Sequence, residues 1–224
     1  MRLTLLIGVF LLLFVSCDSI DFTDQPQGVI EYDVTYLSNK SSMPTNLLPK
    51  KITLKFRASK SITTMDGFMG MFSLSNISDF KKQTNTLLLK VMDNKYYQQG
   101  EKLEPPFFYD GIKKPEIAFT NLTKEIAGLN CKMALVTFSD TIQKPFKLYY
   151  TDDIKLLNSN KSNPFNIIDG VLIQFNIRIN NIEMQLCANK YRKEPVSKDN
   201  FDIPEKYRKV SREKISAVIS KLLE

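Results

Sequence analysis

From Gly28 onward, apolar residues return at about every second position, and turn residues interrupt them about every ten. That period belongs to consecutive antiparallel strands. It predicts strands over 29–37, 52–57, 61–65, 86–92 and 95–98, with Asp93-Asn94 as a turn and the prolines at 44, 49, 105, 106 and 115 in loops. The most detailed prediction is a hairpin over 171–191. Its two-residue loop is Asn180-Asn181, and asparagine tolerates the positive φ that such loops need. Register follows from the loop. Ile179 faces Ile182, Ile177 faces Met184, Phe175 faces Leu186 and Ile173 faces Ala188, while the other side pairs Arg178 with Glu183, Asn176 with Gln185 and Gln174 with Cys187. A sheet with one apolar face covers a core on that side and meets water on the other.

The period changes twice. Over 211–223, Ile215, Val218, Ile219 and Leu222 recur at helical spacing among Lys, Arg and Glu, predicting an amphipathic helix packed on the sheet. A membrane-surface or partner-binding helix, with Lys214 and Lys221 toward anionic lipid, is the alternative. The stretch Gly67-Phe-Met-Gly-Met-Phe-Ser-Leu is rich in Met and Phe but lacks alternation. Flexible, polarizable Met suits irregular core gaps and adaptable binding surfaces. The segment is therefore expected either as a core loop or as a ligand entrance lined by Met65, Phe68, Met69, Met71 and Phe72.

The longest apolar run is at the start, Leu3 to Val15 after Arg2, broken only by Thr4 and Gly8. A bilayer span needs about 20 apolar residues, whereas a secretory h-region needs about 7–15. Phe14-Val15-Ser16-Cys17 has the layout of a lipobox, with Cys17 as acceptor for a diacylglycerol. The expected organisation is a lipoprotein signal peptide over 1–16, a lipidated tether over 17–27 and one β-rich domain over 28–224. Several acyl chains at about 0.8 kcal/mol per buried CH2 make a stable anchor. Asp18, Asp21 and Asp24 read as a solvated linker. The expected location is the bacterial cell envelope, outer membrane favoured over inner.

Composition narrows the chemistry. The chain of 224 residues is 43% apolar, enough for one core, and its net charge of +7 comes from 31 basic and 24 acidic residues. The basic residues are dispersed and the export signal separates the protein from nucleic acid, so no nucleic-acid partner is expected. There is no histidine, which excludes Ser-His-Asp and Cys-His catalysis and histidine-based zinc sites. Asp152-Asp153 is an adjacent acidic pair, but neighbouring strand residues face opposite sides. No enzyme activity, metal or cofactor is expected. An oxidising envelope permits Cys131 and Cys187 to pair, an expectation that depends on their separation.

Three stretches carry a family likeness: Glu125-Ile-Ala-Gly-Leu-Asn-Cys-Lys-Met-Ala, Leu148-Tyr-Tyr-Thr-Asp-Asp-Ile, and Asn163-Pro-Phe-Asn-Ile-Ile-Asp-Gly-Val-Leu-Ile-Gln-Phe. In order and spacing they resemble the core of the GLPGLI family of uncharacterised Bacteroidota envelope proteins. Gly170-Val171-Leu172 keeps the second half of the name-giving motif, while Ile167 and Asp169 stand where its first Gly and its Pro would be. The resemblance implies a LolA/LolB-type fold, α+β and mainly β, in which a curved antiparallel sheet forms an incomplete barrel around a C-terminal helix. It implies no catalytic residues.

Two functions are compatible with that architecture. One is an anchored carrier of a lipid, an acyl chain or another apolar ligand in the concave face. The other is an interaction lipoprotein with a plugged concavity and an envelope protein partner, for which Tyr96, Tyr97, Phe107, Phe108 and Tyr109 are candidate contacts. A carrier needs an apolar cavity of about 300 Å3 or more, and a plugged scaffold has none.

Overall fold

The computed structural model describes residues 25–109, 112–139 and 143–223. Its strands are β1 (Gln27–Asn39), β2 (Lys51–Arg57), β3 (Lys60–Asp66), β4 (Phe72–Asp79), β5 (Thr84–Val91), β6 (Asn94–Gln99), β7 (Glu116–Ile126), β8 (Leu129–Thr137), β9 (Phe146–Thr151), β10 (Val171–Ile179), β11 (Ile182–Arg192) and β12 (Arg208–Lys209). One α-helix, α1 (Arg212–Leu223), follows them. Among the described residues the strands form one sheet in the order β12-β6-β5-β4-β3-β2-β1-β11-β10-β9-β8-β7. All neighbours are antiparallel except β12, which lies parallel to β6. The sheet ends at β12 and β7 and does not close, so the fold is α+β, mainly β, as the sequence predicts.

Local chemistry accounts for the best-predicted parts. Asn180 adopts φ +49°, and β10 pairs with β11 in the predicted register from Gln174–Cys187 to Ile179–Ile182. The β5–β6 turn falls one residue earlier than expected, at Met92-Asp93, with Met92 at φ +51°. Ser211 caps α1, its hydroxyl accepting from the Lys214 amide at 3.3 Å. The helix buries Ile215, Ile219 and Leu223 in the main core, while Lys214 and Lys221 stay exposed. Packing on the sheet is therefore where its apolar face goes.

The chain uses both faces of the sheet. Ile30, Ile52, Phe56, Met65, Leu74, Leu87 and Leu89 belong to the main core on the concave side. On the alternate positions of β1, β4 and β5, Val29, Ile77 and Leu88 pack on the convex side under Val196 and Phe201. There the closing segment is tied down by Arg57, which donates to the Val196 carbonyl at 2.9 Å, and by Lys55, which donates to Asn200 Oδ1 at 3.2 Å. After pairing with the β6 edge through β12, the chain turns to the concave side as α1.

Strand β4 departs from the sequence reading, which leaves 72–79 without a strand. The reason lies in its inward positions. They read Phe72, Leu74, Asn76, Ser78, so the apolar alternation stops halfway along the strand.

Candidate functional site

Cross-strand pairing assembles the concave face in rows. Ile52 pairs with Met65, Met65 with Leu74 and Leu74 with Leu89, an apolar row. Two pairs further along, Leu54 meets Thr63 and Thr63 meets Asn76. Beyond that, Ser61 meets Ser78 and Ser78 meets Asn85. One half of the face is therefore apolar and the other carries a contiguous polar patch.

Helix α1 covers the apolar half. Ile219, Leu222 and Leu223 lie over Met65, Phe72, Leu74, Leu89 and Met184, leaving a cavity of about 40 Å3. Phe72 fits because Gly67 has no β-carbon; one built there would overlap the Phe72 ring. The C-terminal end of α1 is held by Ser42, whose amide donates to the Leu223 carbonyl at 3.0 Å. At its start, Arg212 pairs with Glu104.

Two loop segments cover the polar half. The short 3-10 turn Phe107–Tyr109 buries Phe107 and Phe108, and residues 154–168 bury Ile154, Leu156, Phe165 and Ile168. Gly170 closes the second segment at φ +147°, where a β-carbon would lie 2.6 Å from the Thr151 carbonyl oxygen. Gly170 thus has a steric reason to carry no side chain. Its carbonyl accepts from Asn160 Nδ2 at 2.7 Å and Ser159 Oγ at 3.1 Å.

Between these covers and the sheet lies a chamber of about 80 Å3. Tyr32, Leu172, Phe175 and Ile177 form its apolar wall; Thr63, Asn76, Ser78, Ser159, Asn160 and Ser162 are among its polar residues. Tyr32 donates its hydroxyl to the Leu172 carbonyl at 2.8 Å, and burial holds its phenol protonated well above the usual tyrosine range. Among the described residues no Asp, Glu, Lys or Arg lines the chamber. Larger hollows, of about 590 and 430 Å3, are grooves on the outer surface with polar walls that include Lys60, Asp79 and Lys209 in one and Lys40 and Asn181 in the other.

The predicted site residues separate. Met65 and Phe72 are buried in the wall under α1, whereas Met69 is 87% and Met71 48% exposed. Only the backbone of Phe68 is described. Met65 and Phe72 thus share one wall, while the turn between β3 and β4 sends Met69 and Met71 to solvent. Met71 there lies beside Met92, 65% exposed, whose amide donates to the Met71 carbonyl at 2.9 Å. Phe107 and Phe108 are core residues and do not form an outer patch. Tyr96 stacks under the Arg208 guanidinium at 5.4 Å.

Cys131 in β8 and Cys187 in β11 are both free thiols. Two strands, β9 and β10, lie between them in the sheet, and they do not pair. Burial pushes the Cys131 thiol up to about 11. Asp152 pairs with Lys132 at 2.8 Å, which holds its carboxyl below the usual range, while Asp153 accepts from the Asn130 amide at 2.8 Å. The two carboxylates thus serve different partners. Cys17, Asp18, Asp21 and Asp24 lie outside the described residues. Among the described residues no helix is long and apolar enough to cross a membrane.

Sequence reasoning misses Asn76, Ser78 and Asn85. The available signal was an alternating strand whose inward positions switch from apolar to Asn and Ser.

No protein-family model matches the chain, and no curated protein sequence matches it. Among solved structures, that of PNGF-II in space group C2 is similar, with a TM-score of 0.54 over 88% of this chain at 14% identity. The match covers 33% of that longer chain, and at this identity the likeness concerns the fold.

Proposed function

We propose that the protein is a non-enzymatic, lipid-anchored envelope lipoprotein that works as an interaction module, with its concave face filled by its own helix and loops. The observation that carries this reading is the size of the interior. The cavities under α1 and under the loops measure about 40 and 80 Å3, against about 300 Å3 for a carrier of a lipid or acyl chain. Exposed thioethers supply a contact surface. Met69, Met71 and Met92 gather on two adjacent hairpin turns, and clustered Met side chains adapt to partner surfaces. Strand β1 begins beside the β2–β3 turn, with Ala58 donating to the Pro26 carbonyl at 2.7 Å. It ends near the opposite rim, 13 residues on. The described chain therefore enters β1 at the rim away from the three methionines, which suits a contact surface pointing away from an anchor that precedes β1.

The carrier reading has one observation of its own: the cavity under α1 is walled by aliphatic side chains, Phe72 and Met, so displacing the helix would open an apolar groove. Native mass spectrometry of the chain purified from a bacterial envelope without its first 17 residues, followed by organic extraction, separates the two. A lipid-free mass is expected. Stoichiometric acyl lipid, lost in an Ile219→Asp variant that still folds, would overturn the interaction reading in favour of the carrier.

A further inference from the structure

The chamber under the loops holds one polar atom that the fold does not use. Asn76 is 3% exposed, and among the described residues its Oδ1 is the buried side-chain atom without a hydrogen-bonding partner. The orientation of this amide is dictated by its neighbours. Asn85 Nδ2 donates to the Glu104 carbonyl at 2.7 Å, and a carbonyl can only accept, so Asn85 Oδ1 must face β4. There it accepts from Ser78 Oγ at 2.7 Å and from Asn76 Nδ2 at 3.3 Å. Asn76 Nδ2 also donates to Ser78 Oγ at 2.9 Å. Rotating the Asn76 amide would set two acceptors against each other. The acceptor Oδ1 is therefore the end left over, on a side chain that lines the chamber.

An unpaired buried polar group costs about 1–3 kcal/mol, and no protein donor among the described residues reaches this one. We infer that the chamber is a binding site for a small uncharged hydroxyl compound, which donates a hydrogen bond to Asn76 Oδ1 and lays its carbon skeleton against Leu172 and Phe175. The free atom is an acceptor, which requires a donor. A cation is disfavoured because no carboxylate among the described residues lines the space, and an anion because no Lys or Arg among them does. A volume of about 80 Å3 limits the occupant to a few heavy atoms. This occupancy is independent of the lipid anchor and of the methionine rim.

The test is an NMR titration of the whole 15N-labelled chain with 1,2-propanediol and, separately, with lactate, which has a similar skeleton but carries a negative charge. The diol is expected to produce saturable shifts of the Asn76 and Asn85 side-chain amides with a millimolar Kd, and lactate none. Asn76→Ala should weaken diol binding at least tenfold, while Met69→Asp, at the exposed rim, leaves it unchanged. Shifts that do not saturate, equal shifts from lactate, or unchanged affinity in a folded Asn76→Ala variant would overturn the assignment. The diol and lactate comparison decides the matter in the unsubstituted protein even where Asn76→Ala does not fold.

Discussion

The two halves of the concave face share strands β3, β4 and β5 yet are built on different principles. Under α1, Met65, Leu74 and Leu89 meet Ile219 and Leu222, and the stabilisation is non-directional burial of apolar area. Under the loops, Asn76, Ser78, Asn85 and Ser162 are joined by directional bonds, including Asn85 Nδ2 to Ser162 Oγ at 3.2 Å. The apolar half can tolerate reshaping within its volume. A polar half has no such latitude, since every group that loses its partner while buried is penalised. One unpaired acceptor in an otherwise connected network is thus informative, whereas a small apolar void is ordinary.

Substitutions on each side can break or sharpen this contrast. The largest effect is expected in the apolar half. Leu89→Ala removes a side chain only 1% exposed and should cost about 2–5 kcal/mol in urea unfolding; a loss below about 1 kcal/mol would mean that α1 is only loosely seated. In the polar half, Asn85→Ala leaves the Glu104 carbonyl, Ser162 and Asn76 without a shared partner. It should cost about 1–3 kcal/mol, and a neutral result would show that water replaces the network easily. The smallest effect belongs to the rim: Met69→Asp should change stability by no more than about 0.5 kcal/mol, since Met69 is 87% exposed. A large loss there would place Met69 in the core and remove the proposed contact surface.

Legibility in the sequence follows the same divide. The β10–β11 hairpin was readable because its register depends on two adjacent asparagines and a period of two, both local. Helix α1 was readable from the spacing of Ile215, Ile219 and Leu222. Strand β4 was not, because Asn76 and Ser78 occupy inward positions where the pattern demands apolar residues, and their justification is distant. Asn85 reaches Ser162, 77 positions away, and no window of sequence contains both. Met65 to Phe72 was legible only in part: composition marked the segment as special, but the turn decided that Met65 and Phe72 went in and Met69 and Met71 went out.

By itself, then, the sequence determined an antiparallel sheet with an amphipathic helix packed on it, and it excluded histidine chemistry, because periodicity and composition are properties of the chain read in order. Tertiary structure decided that α1 and two loop segments cover the concave face, that Cys131 and Cys187 stand apart, and that Asn76 Oδ1 has no protein partner in a chamber without charged lining among the described residues. Those facts depend on which distant strands and loops meet, and buried hydrogen bonds are satisfied or left open only when those partners arrive.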